Sequence, residues 1–392
     1  MKKLGIYVHI PFCVRKCAYC DFLSFEGMFD KQGPYIGALN REIDAISEKY
    51  GIDFDNEYEI SSIYFGGGTP TSVKPEYICD LLHKLIERFN VNSDIEITLE
   101  ANPGTVDFES LKAYREAGFN RLSLGMQSAD NAELRYLGRI HTYEEFKDCY
   151  EVAREAGFTN VNVDIMTALP YQNNDTLQKT LDSLLDLSIL PEHVSAYSLI
   201  VEPGTEFFEK FGEMDDNGYY TGPEGYALPI GNQERALYYQ ARNFLINNGY
   251  IQYEISNFAK EGYESIHNSS YWTRQDYIGL GLNASSFINN VRYKNTADLD
   301  KYIEDEKAID EEIKLDEKSA MEEFMFLGLR RLVGVNADEF ERTFRRRIRN
   351  AYGEQIDDLI SSGLMIEENG NYRLTDRGID YGNYCFSRFL FG

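Results

Sequence analysis

The sequence of 392 residues lacks several features that would assign it to a specialised class of protein. It has no run of about 18 consecutive apolar residues, so no segment is predicted to span a membrane. It has only six cysteines, too few for a disulfide-dense secreted scaffold. The apolar stretch after Met1 is too short for a signal peptide and has no small-residue cleavage site. These absences predict a cytoplasmic protein whose cysteines are reduced unless they bind a metal.

Positive charge is also scarce. The 39 Lys and Arg residues are outnumbered by 65 Asp and Glu residues, which gives a formal net charge of −26. A surface of this sign repels phosphate backbones, so we expect no nucleic-acid partner. It also disfavours broad adsorption to anionic lipid. Any anionic ligand must therefore be held by a local cluster of positive side chains.

Strand-like and helix-like segments alternate through the first half of the chain, which predicts an α/β fold with a parallel sheet. The predicted strands are residues 4–10, 61–65, 95–100, 121–126, 161–166 and 193–199, and the predicted helices are residues 35–50, 76–89, 108–117, 143–156 and 175–187. Two helices end in Ala-Gly-Phe, with Gly118 and Gly157 where a left-handed C-cap is expected. Six units are too few for an eight-stranded barrel, so an open barrel and a doubly wound sheet both remain. In either fold, ligands bind at the carboxyl ends of the strands.

The pattern changes in the second half of the chain. Residues 211–232 are rich in Gly, Asp, Asn and Tyr and predict a long loop, and residues 234–248 predict a helix. From about residue 314 a separate module begins, whose end combines a helix, a Gly turn, two short strands and another helix. That order is typical of a winged helix. We therefore divide the chain into a first domain of residues 1–232, a connecting segment of residues 233–313 and a C-terminal module of residues 314–392.

Three of the cysteines stand close together, in the pattern Cys-x3-Cys-x2-Cys just after the first predicted strand. Cys13, Cys17 and Cys20 supply three thiolates on one loop, enough to close around one metal centre. A structural zinc site needs four ligands, usually in Cys-x2-Cys pairs, and no fourth ligand follows closely. Three protein ligands on a [4Fe–4S] cluster leave the fourth iron with a free coordination site. Such a site indicates a reactive centre rather than a purely structural one. The other three cysteines are expected to be core or surface thiols.

This motif and the strand before it resemble the signature of the radical S-adenosylmethionine (SAM) family. The matching stretch is Tyr7-Val8-His9-Ile10-Pro11-Phe12-Cys13 with Cys17-Ala18-Tyr19-Cys20. The resemblance covers nearly the whole chain and implies a partial (β/α)6 barrel with a smaller, winged-helix-like α+β module at the C-terminus. It also implies that SAM chelates the open iron through its amino and carboxylate groups. One electron from the cluster then cleaves SAM to a 5′-deoxyadenosyl radical and methionine.

The resemblance further implies a SAM pocket at the strand ends. The segment Gly66-Gly67-Gly68-Thr69 resembles the loop that binds the methionyl amino group, and it lacks the Lys of a nucleoside-triphosphate loop. Carboxylates at other strand ends suit ribose hydroxyls, and an arginine suits the SAM carboxylate. His141 is expected to be a solvated loop histidine. The residues assigned to SAM are Tyr7, Phe12, Gly67, Gly68, Thr69, Glu100, Gln127, Arg139 and Asp164.

Within the family, the chain is most similar to the branch that contains the oxygen-independent coproporphyrinogen III dehydrogenase and a heme chaperone. The dehydrogenase has a fourth cysteine two residues after the third, where this chain has Phe22. It also has an extension before the cluster strand, whereas only six residues precede Tyr7 here. Both departures favour the heme chaperone.

The segment His267-Asn268-Ser269-Ser270-Tyr271-Trp272 resembles a His-Asn-x-x-Tyr-Trp motif of the heme chaperone branch. Imidazole is a common axial ligand of heme iron, and Tyr271 and Trp272 are expected to stack on the porphyrin. His267 either ligates the heme iron directly or positions the residues that contact the heme. The same residues also suit a core aromatic cluster around a hydrogen-bonded histidine, so the motif alone leaves both interpretations open.

Together these features predict a heme chaperone that delivers heme to membrane respiratory hemoproteins, with the cluster and SAM controlling transfer or self-association into a homodimer. The expected electron donor is a flavodoxin or a ferredoxin. The alternative is an enzyme that decarboxylates coproporphyrinogen III to protoporphyrinogen IX. A run of arginines within residues 342–349 is either a solvated helix face or a contact for propionates, anionic lipid or a partner.

Overall fold

The computed structural model describes residues 1–305 and 307–391. Its first part is a series of strand–helix units. The elements in chain order are β1 (Lys2–Ile10), β2 (Phe12–Cys13), β3 (Phe25–Glu26), α1 (Gln32–Tyr50), α2 (Phe54–Glu57), β4 (Tyr58–Gly67), α3 (Pro75–Arg88), β5 (Val91–Ala101), α4 (Phe108–Ala117), β6 (Arg121–Gln127), α5 (Asn131–Tyr136), α6 (Tyr143–Glu155), β7 (Val161–Thr167), α7 (Asn174–Leu185) and β8 (His193–Ser198). Strands β1, β4, β5, β6, β7 and β8 lie side by side in this order, all parallel. This confirms the six predicted strand–helix units.

Local signals in the sequence start and stop these helices. The Asp107 side chain accepts a hydrogen bond from a backbone N–H in the first turn of α4, and Thr142 does the same for α6. Gly118 and Gly157 follow the ends of α4 and α6 with φ of +120° and +97°. Side-chain-bearing residues rarely adopt these angles, so the glycines allow the chain to turn directly into the next strand. Strand β6 is buried at every residue, as expected for a parallel strand covered on both faces.

The middle of the chain completes the same sheet. Its elements are α8 (Glu206–Phe211), α9 (Asn232–Asn247), β9 (Ile251–Gln252), β10 (Asn257–Ala259), α10 (Ile266–Trp272), β11 (Tyr277–Leu280), β12 (Ser285–Ile288), β13 (Val291–Asn295), α11 (Leu299–Glu304) and β14 (Ile309–Lys314). Strand β11 pairs in parallel with β1, and β12, β13 and β14 continue beyond it in antiparallel order. Strands β10 and β9 extend the opposite edge from β8. Strands of the connecting segment belong to the same sheet as those of the first domain. The domain boundary that we propose at residue 232 therefore divides one sheet between two parts of the chain.

The C-terminal module has its own apolar core, which includes Phe340, Tyr352 and Phe389. Its elements are α12 (Glu317–Gly328), β15 (Val335–Asn336), α13 (Ala337–Phe344), α14 (Ile348–Ser361), β16 (Met365–Glu368), β17 (Asn371–Leu374), α15 (Asp376–Asp380) and α16 (Gly382–Ser387). Asn369 and Gly370 join β16 to β17 with φ of +53° and +78°, the angles of a tight hairpin turn. The order of helix, glycine turn, two-stranded wing and helix matches the winged-helix-like module that the sequence predicts. Among the helices of residues 1–305 and 307–391, none is long and apolar enough to cross a bilayer.

Candidate functional site

A cavity of about 640 Å³ opens at the carboxyl ends of the barrel strands. This volume is typical of a site for a small molecule or cofactor. The structure brings the three motif cysteines to this cavity together with most of the residues assigned to SAM. Those that line it are Tyr7, Cys13, Cys17, Cys20, Gly67, Gly68, Thr69, Glu100, Gln127, Arg139 and Asp164.

The cysteines lie on a loop that the barrel backbone holds in place. The Ala18 N–H donates to the carbonyl of Leu137 at 3.1 Å, and the Cys20 N–H donates to the carbonyl of Cys17 at 3.2 Å. Burial raises the pKa of Cys13, and it raises that of Cys20 to about 11. The loop therefore presents its thiols to a partly enclosed space rather than to bulk water.

The surroundings of the thiols fit an iron–sulfur cluster. The hydroxyl of Thr69 lies 3.6 Å from Cys13 Sγ, and Arg139 Nη1 donates to Cys17 Sγ at 3.6 Å. Hydrogen bonds and positive charge stabilise thiolates, the form in which cysteines ligate iron. Across residues 1–305 and 307–391, no three Cys, His, Asp or Glu side chains converge on the position of a single metal ion.

The glycine-rich segment at the end of β4 packs closely against β1 and the cysteine loop. Gly67 has φ of +115°, and a Cβ atom there would stand 2.5 Å from the His9 ring. A Cβ atom on Gly68 would stand 2.8 Å from the carbonyl oxygen of Phe12. The next N–H, that of Thr69, donates to the same carbonyl at 2.8 Å. The glycines are thus needed for close contact with the cysteine loop, in addition to lining the cavity.

The ring of Phe12 is separate from the cavity. It is buried in the core, where it meets the Tyr35 ring edge to face with centroids 5.4 Å apart. Of the residues assigned to SAM, Phe12 is the one that the structure does not bring to the cavity lining. Its contribution is through its backbone carbonyl, which anchors the glycine segment.

Two of the carboxylates that line the cavity belong to strands of the sheet, Glu100 to β5 and Asp164 to β7. Glu100 accepts a hydrogen bond from the Tyr64 hydroxyl at 2.6 Å. Asp164 accepts from Asn162 Nδ2 at 2.7 Å and from the Tyr197 hydroxyl at 3.0 Å. Burial raises the pKa of Glu100 to about 7, against the opposing effect of the Tyr64 hydrogen bond.

We expect SAM binding at Glu100 to be coupled to proton release near neutral pH. With a pKa of about 7, Glu100 is mostly protonated at pH 6 and mostly ionised at pH 8. The ionised carboxylate is the better acceptor for ribose hydroxyls, so SAM affinity should rise about tenfold between these pH values. Calorimetric titration of the cluster-loaded protein would measure this rise. Glu100→Gln should bind SAM with no such pH dependence, and equal affinity of the unmodified protein at both pH values would contradict the prediction.

The histidine motif forms the short helix α10, which a barrel strand holds in place. The carboxylate of Glu96 in β5 accepts hydrogen bonds from the backbone N–H groups of Ile266 and His267, both at 2.9 Å. It also accepts one from the hydroxyl of Ser265 at 3.3 Å. One buried side chain therefore satisfies several donors at the start of α10 and fixes where the motif lies.

The imidazole of His267 has a partner on each nitrogen. Nδ1 lies 2.9 Å from Ser62 Oγ, and Nε2 lies 2.8 Å from the Tyr271 hydroxyl. The ring stacks on Tyr64 with centroids 5.1 Å apart. Burial lowers the pKa of His267 to about 3, so the imidazole is neutral at neutral pH. Both His267 and Tyr271 line the cavity, but Nε2 is already engaged.

Trp272 lies on a different side of α10. The Arg330 guanidinium stands over its indole at 4.5 Å from the ring centroid. Trp272 lines a second, far smaller cavity of about 10 Å³, with Arg331 and Val335 of the C-terminal module. Tyr271 therefore lines the main cavity and Trp272 the smaller one, so the structure does not place the two rings on one cavity wall.

The sequence analysis missed two features of the site and misjudged one histidine outside the cavity lining. The phenols of Tyr64 and Tyr197, which bind the two carboxylates, are two among 29 tyrosines, and no spacing distinguishes them. Glu96 lies only four residues before Glu100, but its partners follow some 170 residues later. The interpretation of His141 as a solvated histidine was wrong. It is 4% exposed, and burial lowers its pKa to about 3.

Comparisons with known proteins agree with this geometry. Residues 7–184 match the family model of the radical SAM superfamily, and residues 315–381 match that of the HemN C-terminal domain. The chain is 36% identical to the heme chaperone HemW of Lactococcus lactis, over 99% of this chain and 98% of that protein. The chain belongs to the HemW family of radical SAM proteins. A second HemW, from Bacillus subtilis, is 35% identical over 98% of both chains.

A solved structure relates the HemW-family fold to an enzyme. The coproporphyrinogen III oxidase HemN from Escherichia coli, a radical SAM enzyme, superposes with a TM-score of 0.82 over 99% of this chain and 90% of that chain. At 23% identity this match shows the shared fold, a partial barrel with a C-terminal module. Membership in the radical SAM superfamily implies a [4Fe–4S] cluster and SAM as cofactors. The three-thiol donor set described above agrees with that implication.

Proposed function

We propose that this protein is a heme chaperone, which binds heme and delivers it to hemoproteins of the respiratory membrane. The observation that carries the proposal is its similarity to two proteins named heme chaperone, over 98% or more of every chain compared. The dehydrogenase alternative finds less support, because Phe22 stands where that enzyme carries its fourth cysteine. A homodimer and an electron donor of the flavodoxin or ferredoxin type belong to the proposal on the family resemblance.

In this proposal the cavity would hold both the cluster and SAM. The thiolates of Cys13, Cys17 and Cys20 would hold the cluster. When bound, the cluster and SAM supply one-electron chemistry. The residues proposed to hold SAM are Tyr7, Gly67, Gly68, Thr69, Glu100, Gln127, Arg139 and Asp164, because all of them line the cavity.

These residues have distinct tasks. The glycine segment keeps its backbone close to the cysteine loop, and Arg139 supplies positive charge beside Cys17. The two carboxylates accept hydrogen bonds from sugar hydroxyls, each already oriented by a tyrosine. Further donations by Arg139, to the side-chain oxygen of Asn102 and to the carbonyl of Gly125 at 2.9 Å, fix the orientation of its guanidinium. A fixed guanidinium suits a carboxylate ligand such as that of SAM.

For heme, we propose that His267 and Tyr271 act as a pair. They are four residues apart on α10, so their side chains face each other, and they share a hydrogen bond. His267 ligates the iron only if Tyr271 releases Nε2; otherwise the pair forms part of the cavity wall. The variant Tyr271→Phe separates these two roles. If His267 ligates the iron, loss of the competing hydroxyl should raise heme affinity; if the pair only forms part of the cavity wall, loss of their hydrogen bond should lower it. We propose that Trp272 contributes indirectly, through its contact with Arg330 of the C-terminal module.

We expect His267→Ala to weaken heme binding about tenfold or more, since the change removes either the iron ligand or an aromatic wall. The measurement is an anaerobic heme titration of the cluster-loaded protein, followed through the Soret band. His83→Ala is the matched control, because His83 is exposed on α3 and any binding there is adventitious. Equal affinity in His267→Ala and the unmodified protein would exclude a role of His267 in heme binding.

The same sample separates the two functions. It would be incubated with coproporphyrinogen III, SAM and a reductant in the absence of oxygen. Tight heme binding without porphyrin product supports the chaperone. Steady formation of protoporphyrinogen IX without heme binding would favour the decarboxylating enzyme and show that Phe22 does not exclude that activity.

A further inference from the structure

The mouth of the main cavity carries two large apolar side chains that face water. Phe22 of the cysteine loop is 60% exposed, and Ile200, just after β8, is 67% exposed. Both line the cavity whose interior is built from cysteines, carboxylates and an arginine. Exposed apolar groups at the rim of a polar pocket indicate a ligand with an apolar surface. Neither side chain is among the residues proposed above to hold SAM.

Two cations stand at the same mouth. Lys16 Nζ donates to the backbone carbonyl of Phe22 at 3.1 Å, which ties its charge to the apolar rim. Arg15 also lines the cavity and is exposed. Within residues 1–305 and 307–391, no ion pair joins Arg15 to a carboxylate. In a chain with a net charge of −26, such a pair of cations is a local site for an anion.

Two carboxylates restrict how an anion can lie there. Asp21 and Glu202 line the cavity together with the apolar and basic residues. An anionic group is repelled from them and attracted to Arg15 and Lys16. The ligand that this arrangement selects is therefore amphipathic, with an apolar body and negative charge on one side only.

We propose that the mouth is the seat of heme, with the porphyrin ring against Phe22 and Ile200 and the propionates toward Arg15 and Lys16. This inference rests on the proposed function and names the residues of the cavity mouth that hold heme, in the same cavity as the His267–Tyr271 pair. Heme has two apolar faces and carries both carboxylates on one edge, so it meets both requirements at once. Arg15, Lys16 and Phe22 all belong to the cysteine loop, so a change in the conformation of that loop acts directly on bound heme.

The test compares paired variants of the cluster-loaded protein in anaerobic heme titrations. Phe22→Ala combined with Ile200→Ala should weaken heme binding about tenfold to a hundredfold, because apolar contact with the ring is lost. Arg15→Gln combined with Lys16→Gln should weaken it several-fold, with a smaller dependence on salt. The charge variant should bind heme dimethyl ester, whose propionates are blocked, as well as the unmodified protein does. Unchanged cluster absorbance would show that each variant is folded.

Matched controls lie away from the cavity. Ile313→Ala removes an apolar side chain that is 49% exposed on β14, and Lys112→Gln removes an exposed cation on α4. Neither should alter heme affinity. If the mouth variants bind heme as tightly as the unmodified protein does, the seat is refuted and the proposed function stands. If the unmodified protein binds no heme, both are refuted.

Discussion

Replacing Cys17 with Ser is expected to abolish assembly of the [4Fe–4S] cluster. A hydroxyl is a poor substitute for a thiolate as an iron ligand, and the change also removes the sulfur that accepts from Arg139. Reconstituted protein should fall from about four irons per chain to nearly none, with loss of the visible absorbance of the cluster. Cys13→Ser and Cys20→Ser should behave in the same way.

The matched control is Cys79→Ser. The Cys79 thiol lies in α3, outside the cavity lining, and donates to the backbone carbonyl of Ala113 at 3.8 Å. A serine hydroxyl can make the same hydrogen bond, so cluster content should stay at the level of the unmodified protein. A full cluster in Cys17→Ser would show that Cys17 is not a ligand.

Replacing Glu96 with Ala is expected to lower the free energy of unfolding by about 3 kcal/mol, since several buried donors lose a charged acceptor. The same change frees the start of α10, so heme affinity should also fall, although Glu96 contacts only the backbone N–H of His267 and neither ring nitrogen. Chemical denaturation and the heme titration described above measure the two effects.

Two further variants distinguish the effect of Glu96 on the position of α10 from a general loss of protein stability. Asp94→Ala removes an exposed carboxylate from the same strand and should change neither quantity. Glu96→Gln keeps one acceptor oxygen, so it should lie between the alanine variant and the unmodified protein. An unchanged heme affinity in Glu96→Ala would mean that α10 keeps its position without this support.

The barrel could be predicted from the sequence because its signals are local. Apolar runs, helix caps and glycines such as Gly118 act within a few residues of where they stand, and each unit repeats them. The cavity followed from the rule that parallel strands gather their carboxyl ends at one edge. For that reason residues as distant along the chain as Tyr7 and Asp164 were correctly expected to lie near each other.

The parts that the sequence did not reveal depend on long-range pairing or on helix geometry. Strands β11 to β14 are short, and their partners are set by sheet contacts rather than by their own pattern. In the histidine motif, Tyr271 and Trp272 are adjacent in sequence, and both were expected to stack on the porphyrin. Consecutive residues on a helix point about 100° apart, whereas residues four apart face each other. Helix geometry therefore pairs His267 with Tyr271 and turns Trp272 toward Arg330.

The completed sheet also bears on how copies of the protein can aggregate. Because β11 covers the outer side of β1, the strand that leads into the cysteine loop offers no unpaired backbone to a second chain. The strands left at the two ends of the sheet are β9, only two residues long, and β14, which reads Ile-Asp-Glu-Glu-Ile-Lys. Short or heavily charged edges resist strand-to-strand addition. Strand addition between molecules, the usual route from a β-sheet to insoluble fibres, is therefore disfavoured at both ends of this sheet.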